Sequence, residues 1–363
     1  MAVPPNYQII IVNSSGVLTE FNNAVNIAWE WYENEVGRCR FSIAWNDQKL
    51  SDTSVENSAF NEIRIYRDNV LVWQGFIAYI VDGLNETTVY GLTFLETLKW
   101  YGVGYNIPYV DQRIGSQIID PIYDDILLRT NDFLTARITK GTIQNTTESG
   151  VGTPKSITRT TYNESFFALL KEMVAISRSD SPQPPWKQDT VFEITFDENT
   201  PTFNFWKDIG IDQIEVIYEL DSEIVNFNLH YDFRSIFNDI TGYGIEDGPR
   251  IVNSNQVDVT SRTAYYLREF YPYFGSVSSQ DETTESVKNT LGVLKDPAKI
   301  ISVELAAGLV PFDGYVMGDN INVRINRGRV VIDEFFRVIG MEVSLSDTGV
   351  EKTIPLLERK RTV

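Results

Sequence analysis

The run Cys39-Arg40-Phe41-Ser42-Ile43-Ala44-Trp45 alternates apolar residues with polar or small ones. This period of two constrains the fold most, because in a β-strand neighbouring side chains point to opposite faces. Cys39, Phe41, Ile43 and Trp45 are expected on a covered face, with Arg40, Ser42 and Ala44 on the other. The same period recurs in Ile214, Val216, Tyr218 and Leu220 against Glu215 and Glu219. It recurs again in Val225, Phe227, Leu229, Tyr231 and Phe233 against Asn226, Asn228, His230, Asp232 and Arg234, which puts His230 on a polar strand face. The 7 Trp, 18 Tyr and 20 Phe add weight, since bulky rings suit half-buried strands. Such a chain is mainly β.

Strands are expected at 7–12, in a hairpin over 63–73 turning at Arg67-Asp68-Asn69, and in a pair, 76–81 and 87–92, around Asp82-Gly83-Leu84-Asn85. The middle changes period. Asp120-Pro121 reads as an N-cap followed by proline at the first helical position, with Ile122, Ile126, Leu127, Phe133 and Leu134 at helical spacing. A polar segment at 144–155 reads as a loop or a loose hairpin tip. Asn163 is the expected cap of a second helix with a buried stripe of Phe166, Leu169, Leu170, Met173 and Val174, stopped by the prolines of 179–185. Strands return from Val191, a helix is expected at 284–294, and strands close the chain at 300–305, 321–325, 330–332, 336–345 and 350–357.

Signals for chemistry are sparse. There is no GxxxxGK[ST] or GxGxxG phosphate loop, no GxSxG elbow and no HExxH pair. Cys39 is the only cysteine and His230 the only histidine, so neither a disulfide nor a His/Cys zinc site can form within the chain. Asp319, after Gly318, reads as a turn residue that bonds its own backbone in preference to a cation. Outward acids such as Glu215 and Glu219 keep open a carbohydrate-binding or receptor-binding protein as the alternative function. No catalytic residue, cofactor or metal is expected. The net charge of −19, from 50 acidic and 31 basic residues, opposes nucleic-acid binding, which draws on Lys and Arg. The first residues lack the basic start and apolar stretch of a signal peptide, and no run reaches the ~20 apolar residues of a membrane helix. Neither export by such a signal nor membrane insertion is expected.

Two segments repeat. Residues 63–72, IRIYRDNVLV, match residues 323–332, VRINRGRVVI, without a gap, so that Arg64 and Arg67 fall on Arg324 and Arg327. Related β domains at the two ends are expected, each hairpin in its own barrel. Ile63, Ile65, Val323 and Ile325 should point inward and Arg64 and Arg324 outward. Trp73, at the end of a hairpin strand, is expected to bury its ring.

The order of these features resembles the tail-tip (baseplate) hub proteins of long-tailed phages. The segment 65–77 is similar to their R-x-x-x-x-W-x-G-x-I hairpin, and Thr161-Tyr162-Asn163-Glu164-Ser165-Phe166 through Leu170 to a helix of their middle part. Tyr266-Leu267-Arg268-Glu269 resembles a Y-G-x-R-E element with Leu267 in place of glycine. Gly318-Asp319-Asn320-Ile321-Asn322-Val323, then Gly328 and Arg337-Val338-Ile339, resemble the closing barrel. The resemblance implies two tube-type β-barrel domains, 1–105 and 221–363, flanking a middle α+β region at 106–220, with an inserted segment around 246–298. It also implies a homotrimer that joins the hexameric tail tube or distal tail ring to a trimeric fibre or spike and forms part of the DNA channel. Its partners would be those proteins and the tape-measure protein, with DNA only as passing cargo. Its place would be the virion tail tip, after assembly in the host cytoplasm. A secretion-machine spike base follows the same logic. Related hubs often add a C-terminal hydrolase or fibre region, which residues 358–363 do not begin, so wall cutting is expected of another protein. The channel wall is expected to be acidic or neutral, which lets DNA slide.

Overall fold

The computed structural model describes residues 5–359 except 13–15, 17, 52–60, 105–106, 130–136, 146–155, 162–163, 180–189, 200, 207–209, 235, 248–249, 274–279, 297, 307–308, 310–313 and 347–348. Asn163, Phe133 and Leu134, most of the 144–155 loop and the prolines after the second helix lie outside the described residues.

The N-terminal module holds β1 (Tyr7–Val12), β2 (Leu18–Phe21), β3 (Val25–Tyr32), β4 (Arg38–Ala44), β5 (Glu62–Arg67), β6 (Val70–Asp82) and β7 (Glu86–Leu92). Its alternation is the expected one: Cys39, Phe41 and Ile43 are buried while Arg38, Arg40 and Ala44 are exposed. Trp45 departs from it. The strand ends at Ala44, and the indole is 62% exposed.

The middle region holds β8 (Pro108–Arg113), α1 (Asp120–Leu128), β9 (Thr139–Ile143), β10 (Ser156–Thr160), α2 (Phe166–Ser179), β11 (Val191–Ile194) and β12 (Thr202–Trp206). A π-helical turn at Ile114–Ile119 runs directly into α1, so Asp120 is already helical and does not cap it. The stripe on α2 is as expected: Phe166, Leu169, Leu170 and Met173 are wholly buried and Val174 nearly so. It packs with Tyr123, Ile126, Phe203 and Phe205 into a core of its own. This core includes Phe94, Leu95 and Leu98 from the 3-10 turn Phe94–Lys99, so packing with the middle region begins just after β7.

The C-terminal module holds β13 (Asp212–Glu219), β14 (Ile224–Asp232), β15 (Asp239–Asp247), β16 (Arg250–Val257), α3 (Val259–Tyr265), β17 (Glu269–Phe270), α4 (Gln280–Leu294), β18 (Ala298–Leu305), β19 (Asn320–Arg327), β20 (Val330–Leu345) and β21 (Glu351–Arg359). Two boundaries move. β13 pairs with β19, so the C-terminal sheet starts before residue 221. The insert begins with β15, before residue 246; β15 and β16 pack against α4, and β17 pairs with β15. The strands expected at 330–332 and 336–345 are one 16-residue strand, β20.

Apart from β15, β16 and β17 of the insert, which form a sheet of their own, the strands of the two end modules belong to one 13-stranded sheet, ordered β14-β18-β21-β20-β3-β4-β7-β6-β5-β1-β2, with β19 and β13 branching from β20. The two hairpins are therefore joined through one continuous sheet. Their junction is the antiparallel pairing of β3 on β20, from Gly340↔Tyr32 to Ser344↔Ala28. One core spans both modules, from Ile9, Trp29, Phe41 and Trp73 to Ile301, Val323 and Met341. Each such apolar side chain contributes roughly 1.5–3 kcal/mol by leaving water.

Candidate assembly interface

The two hairpins have matching neighbours. Outward from β5–β6 the order is β1-β5-β6-β7-β4-β3, and from β19–β20 it is β13-β19-β20-β21-β18-β14. One difference is that β1 runs antiparallel to β5 whereas β13 runs parallel to β19. Both long strands carry a bulge where the hairpin partner on one edge, β5 or β19, ends: between Ile77 and Tyr79 in β6 and between Val338 and Gly340 in β20. Beside each bulge an amide reaches back to the residue before the hairpin: Ile77 N donates to Asn61 O, and Val338 N to Asp319 O, both at 2.8 Å.

Ile63, Ile65, Val323 and Ile325 are all wholly buried, as their alternation requires. The arginines opposite them diverge. Arg64 Nε donates to Glu62 Oε1 at 2.5 Å and is largely covered, because Gln74 ties the same carboxylate to the Asp197 backbone of the middle region. Arg324, on the uncovered copy, is 44% exposed and pairs with Asp333 at 3.3 Å.

Arg67 and Arg327 differ more. The Arg67 guanidinium, 5% exposed, grips Glu351 of β21 with two bonds: Nε to Oε2 at 2.8 Å and Nη2 to Oε1 at 2.9 Å. Tyr7 Oη donates to the same Oε2 at 2.6 Å. Arg327 stands 68% exposed, 3.9 Å from Asp221. A second buried pair, unmarked by the repeat, joins the modules: Arg337 Nη2 donates to Glu33 Oε2 at 3.0 Å. Asp319 behaves as a turn residue, its carboxylate accepting bonds from Ile211 N, Gln213 Nε2 and Val316 N.

Trp73 is wholly buried and donates through Nε1 to Glu30 O at 3.1 Å, linking β6 to β3. Two glycines make room for it. A Cβ on Gly75 or Gly91 would stand 2.6 or 3.0 Å from the far edge of the indole, and closer still to other atoms.

The face of the sheet turned away from the core mixes charged side chains of both signs with apolar ones. An open depression of about 790 Å³ carries Arg40, Glu86, Glu304 and Lys352, and a neighbouring one carries Glu30, Arg38 and Glu342. The charges neutralise one another locally: Lys352 meets Glu304 at 2.9 Å and Arg38 lies 3.7 Å from Glu30. The Tyr32 hydroxyl sits between Glu342 and Glu30, at 2.7 and 2.9 Å. Burial, then these carboxylates, holds its proton far above the ordinary value, and burial with the Glu351 charge does so for Tyr7.

Both tyrosines favour the folded state while neutral, so their contribution is complete below pH 10, where the unfolded phenol titrates, and falls as the pH rises beyond it. Spectrophotometric titration should leave Tyr7 and Tyr32 un-ionised until the protein unfolds. Tyrosinate absorbance reaching all 18 residues while the fold persists would be the contrary result.

Among the described residues no group of three or more His, Cys, Asp or Glu could hold a metal ion, and no helix is long and apolar enough to cross a membrane. The β14 backbone places His230 opposite Ile300; its side chain lies outside the described set. Val225, Phe233 and Ile214, placed by alternation on covered faces, are 56%, 54% and 73% exposed.

The whole arrangement has counterparts among solved structures. The 43 kDa tail protein of prophage MuSo2 from Shewanella oneidensis superposes with a TM-score of 0.70 over 97% of this chain and 98% of its own, at 11% identity. The chain has the fold of phage tail proteins. A tail protein from Neisseria meningitidis matches at 0.66 over 98% and 97% of the two chains, with 12% identity. The prophage tail protein gp18 from Listeria monocytogenes matches at 0.62 over 98% and 95%, also at 12%. No protein-family model and no curated protein matches by sequence.

Proposed function

We propose that this protein is the structural hub of a phage tail tip. In this reading a homotrimer joins the hexameric tail tube or distal tail ring to a trimeric fibre or spike and encloses part of the DNA channel. The observation that carries it is the repeated strand order around two hairpins in one chain. Three chains with two equivalent modules each present six similar units to a hexameric ring above and three whole chains to a threefold partner below. The near-full-length likeness to phage tail proteins supports the same reading.

The hub would act in the virion tail after assembly in the host cytoplasm, touching the tube, fibre or spike and tape-measure proteins. It would have no catalytic step of its own. This sheet face suits a channel wall: its mixed, locally neutralised charges offer passing DNA no basic track. Light scattering should give a particle of three times the 41.4 kDa chain mass. Zymograms on peptidoglycan and polysaccharide should stay blank. A monomer at all concentrations, or a cleared band abolished by one Asp or Glu substitution, would overturn the reading.

A further inference from the structure

The internal repeat defines one strand contact that is filled and a second that is open. In β20 the edge vacated by β19 is taken up, beyond the bulge, by β3 of the same chain over Gly340–Ser344. Aligning the two bulges and their flanking amide bonds makes residues 79–83 the counterpart of 340–344. Beyond its last bond to Asn61, β6 pairs only with β7, so the other edge of 79–82 has no strand among the described residues. Ala78, Tyr79, Val81 and Asp82 are exposed there.

The counterpart of β3 is β14, and the pairings fix the register. Trp29 pairs with Cys39, Cys39 with Gly91 and Gly91 with Ile77. In the other module Leu229 pairs with Ile301, Ile301 with Leu357 and Leu357 with Val338. Trp29 and Leu229 therefore occupy equivalent positions. Unlike β3, β14 is the last strand of the sheet, and among the described residues only β18 pairs along it beyond the single bridge of Ile224 to Leu220. Unpaired edges with no proline are templates for strand addition.

We infer that β14 of one copy adds antiparallel to the 79–82 edge of β6 in a second copy, in the register that β3 and β20 use within the chain. Leu229 then faces Asp82, His230 faces Val81, Tyr231 faces Ile80 and Asp232 faces Tyr79. The occupant is another copy because the chain carries both halves of this contact at separate places and already makes its twin internally. The exposed Val225 and Phe233 at the two ends of β14 extend the same edge. A contact between unlike surfaces repeats around an axis, and where the rotation closes it makes a ring. The inference rests on the hub reading for the number three, not for the register.

The test is a disulfide placed across the predicted pair. The Val81→Cys/His230→Cys double variant, oxidised and run without reductant, should give covalent oligomers ending at the trimer. The off-register Asp82→Cys/His230→Cys pair should give far fewer. The native Cys39 is buried with its thiol pushed up by that burial, and so stays silent. Association by light scattering without the 81–230 cross-link would overturn the edge contact and leave the hub standing; a monomer throughout would remove both. Hydrogen exchange on the unmodified protein gives a second readout. The amides of 79–83 should slow as concentration drives assembly, and exchange independent of concentration would count against the contact.

Discussion

Replacing Trp73 with alanine lowers the unfolding free energy by about 3–5 kcal/mol, the usual cost of emptying a large aromatic site in a packed core. The indole is wholly buried, its N–H is bonded to the Glu30 carbonyl, and glycines flank it at 75 and 91. Truncation therefore opens a cavity walled partly by backbone at the two glycines, which collapses poorly. It also leaves the Glu30 carbonyl on β3 without this partner, beside the β3–β20 junction. Trp45→Ala is the control: its ring is 62% exposed, and its loss should stay within about 0.5 kcal/mol. Denaturant unfolding of both variants decides the matter. Equal losses would mean that the indole at 73 is not the keystone its surroundings make it.

Trp73 also marks where sequence reading succeeds. Alternation located β4 and the β5–β6 hairpin, because one covered face leaves a period of two in the residues themselves; it also located β13 and β14, though Ile214 and Val225 on their apolar faces are exposed. The α2 stripe was legible for the same reason at helical spacing. What stayed hidden was pairing between distant strands. Nothing local in β3 tells that it lies on β20, roughly 310 residues away, so the sheet's continuity through both end modules is not legible in the sequence. Trp45 fitted the alternation of β4, yet the strand stops one residue earlier, where the backbone turns to meet Asn85. Asp120 looked like a cap because the π-helical turn before it leaves no capping residue to read. The repeat matches four arginines and gives a strand face for Arg64 and Arg324, but no partner for any of the four. The partners depend on Glu351, Asp197 and the middle region, which cover one copy only.

That asymmetry sets the second large effect. Arg67→Met should cost about 3–5 kcal/mol, because it strands a buried carboxylate. Glu351 is 2% exposed, and after the substitution only the Tyr7 hydroxyl of its three charge-facing bonds remains. Glu351→Leu should cost a similar amount by leaving the guanidinium unpaired in the same place. Arg327→Ala, the counterpart in the repeat, removes a pair 3.9 Å apart with both partners mostly exposed, and such pairs are worth about 0–1 kcal/mol. The decisive variant is the double one. If the penalty of each single change is a buried charge without its partner, Arg67→Met/Glu351→Leu should lose much less than the two single losses added together. Apolar side chains of similar volume often replace a buried pair at little cost. Additive losses would instead mean that each side chain acts through its own packing. In that case the link between β5 and β21 would lie in the sheet and its shared core, and not in the pair.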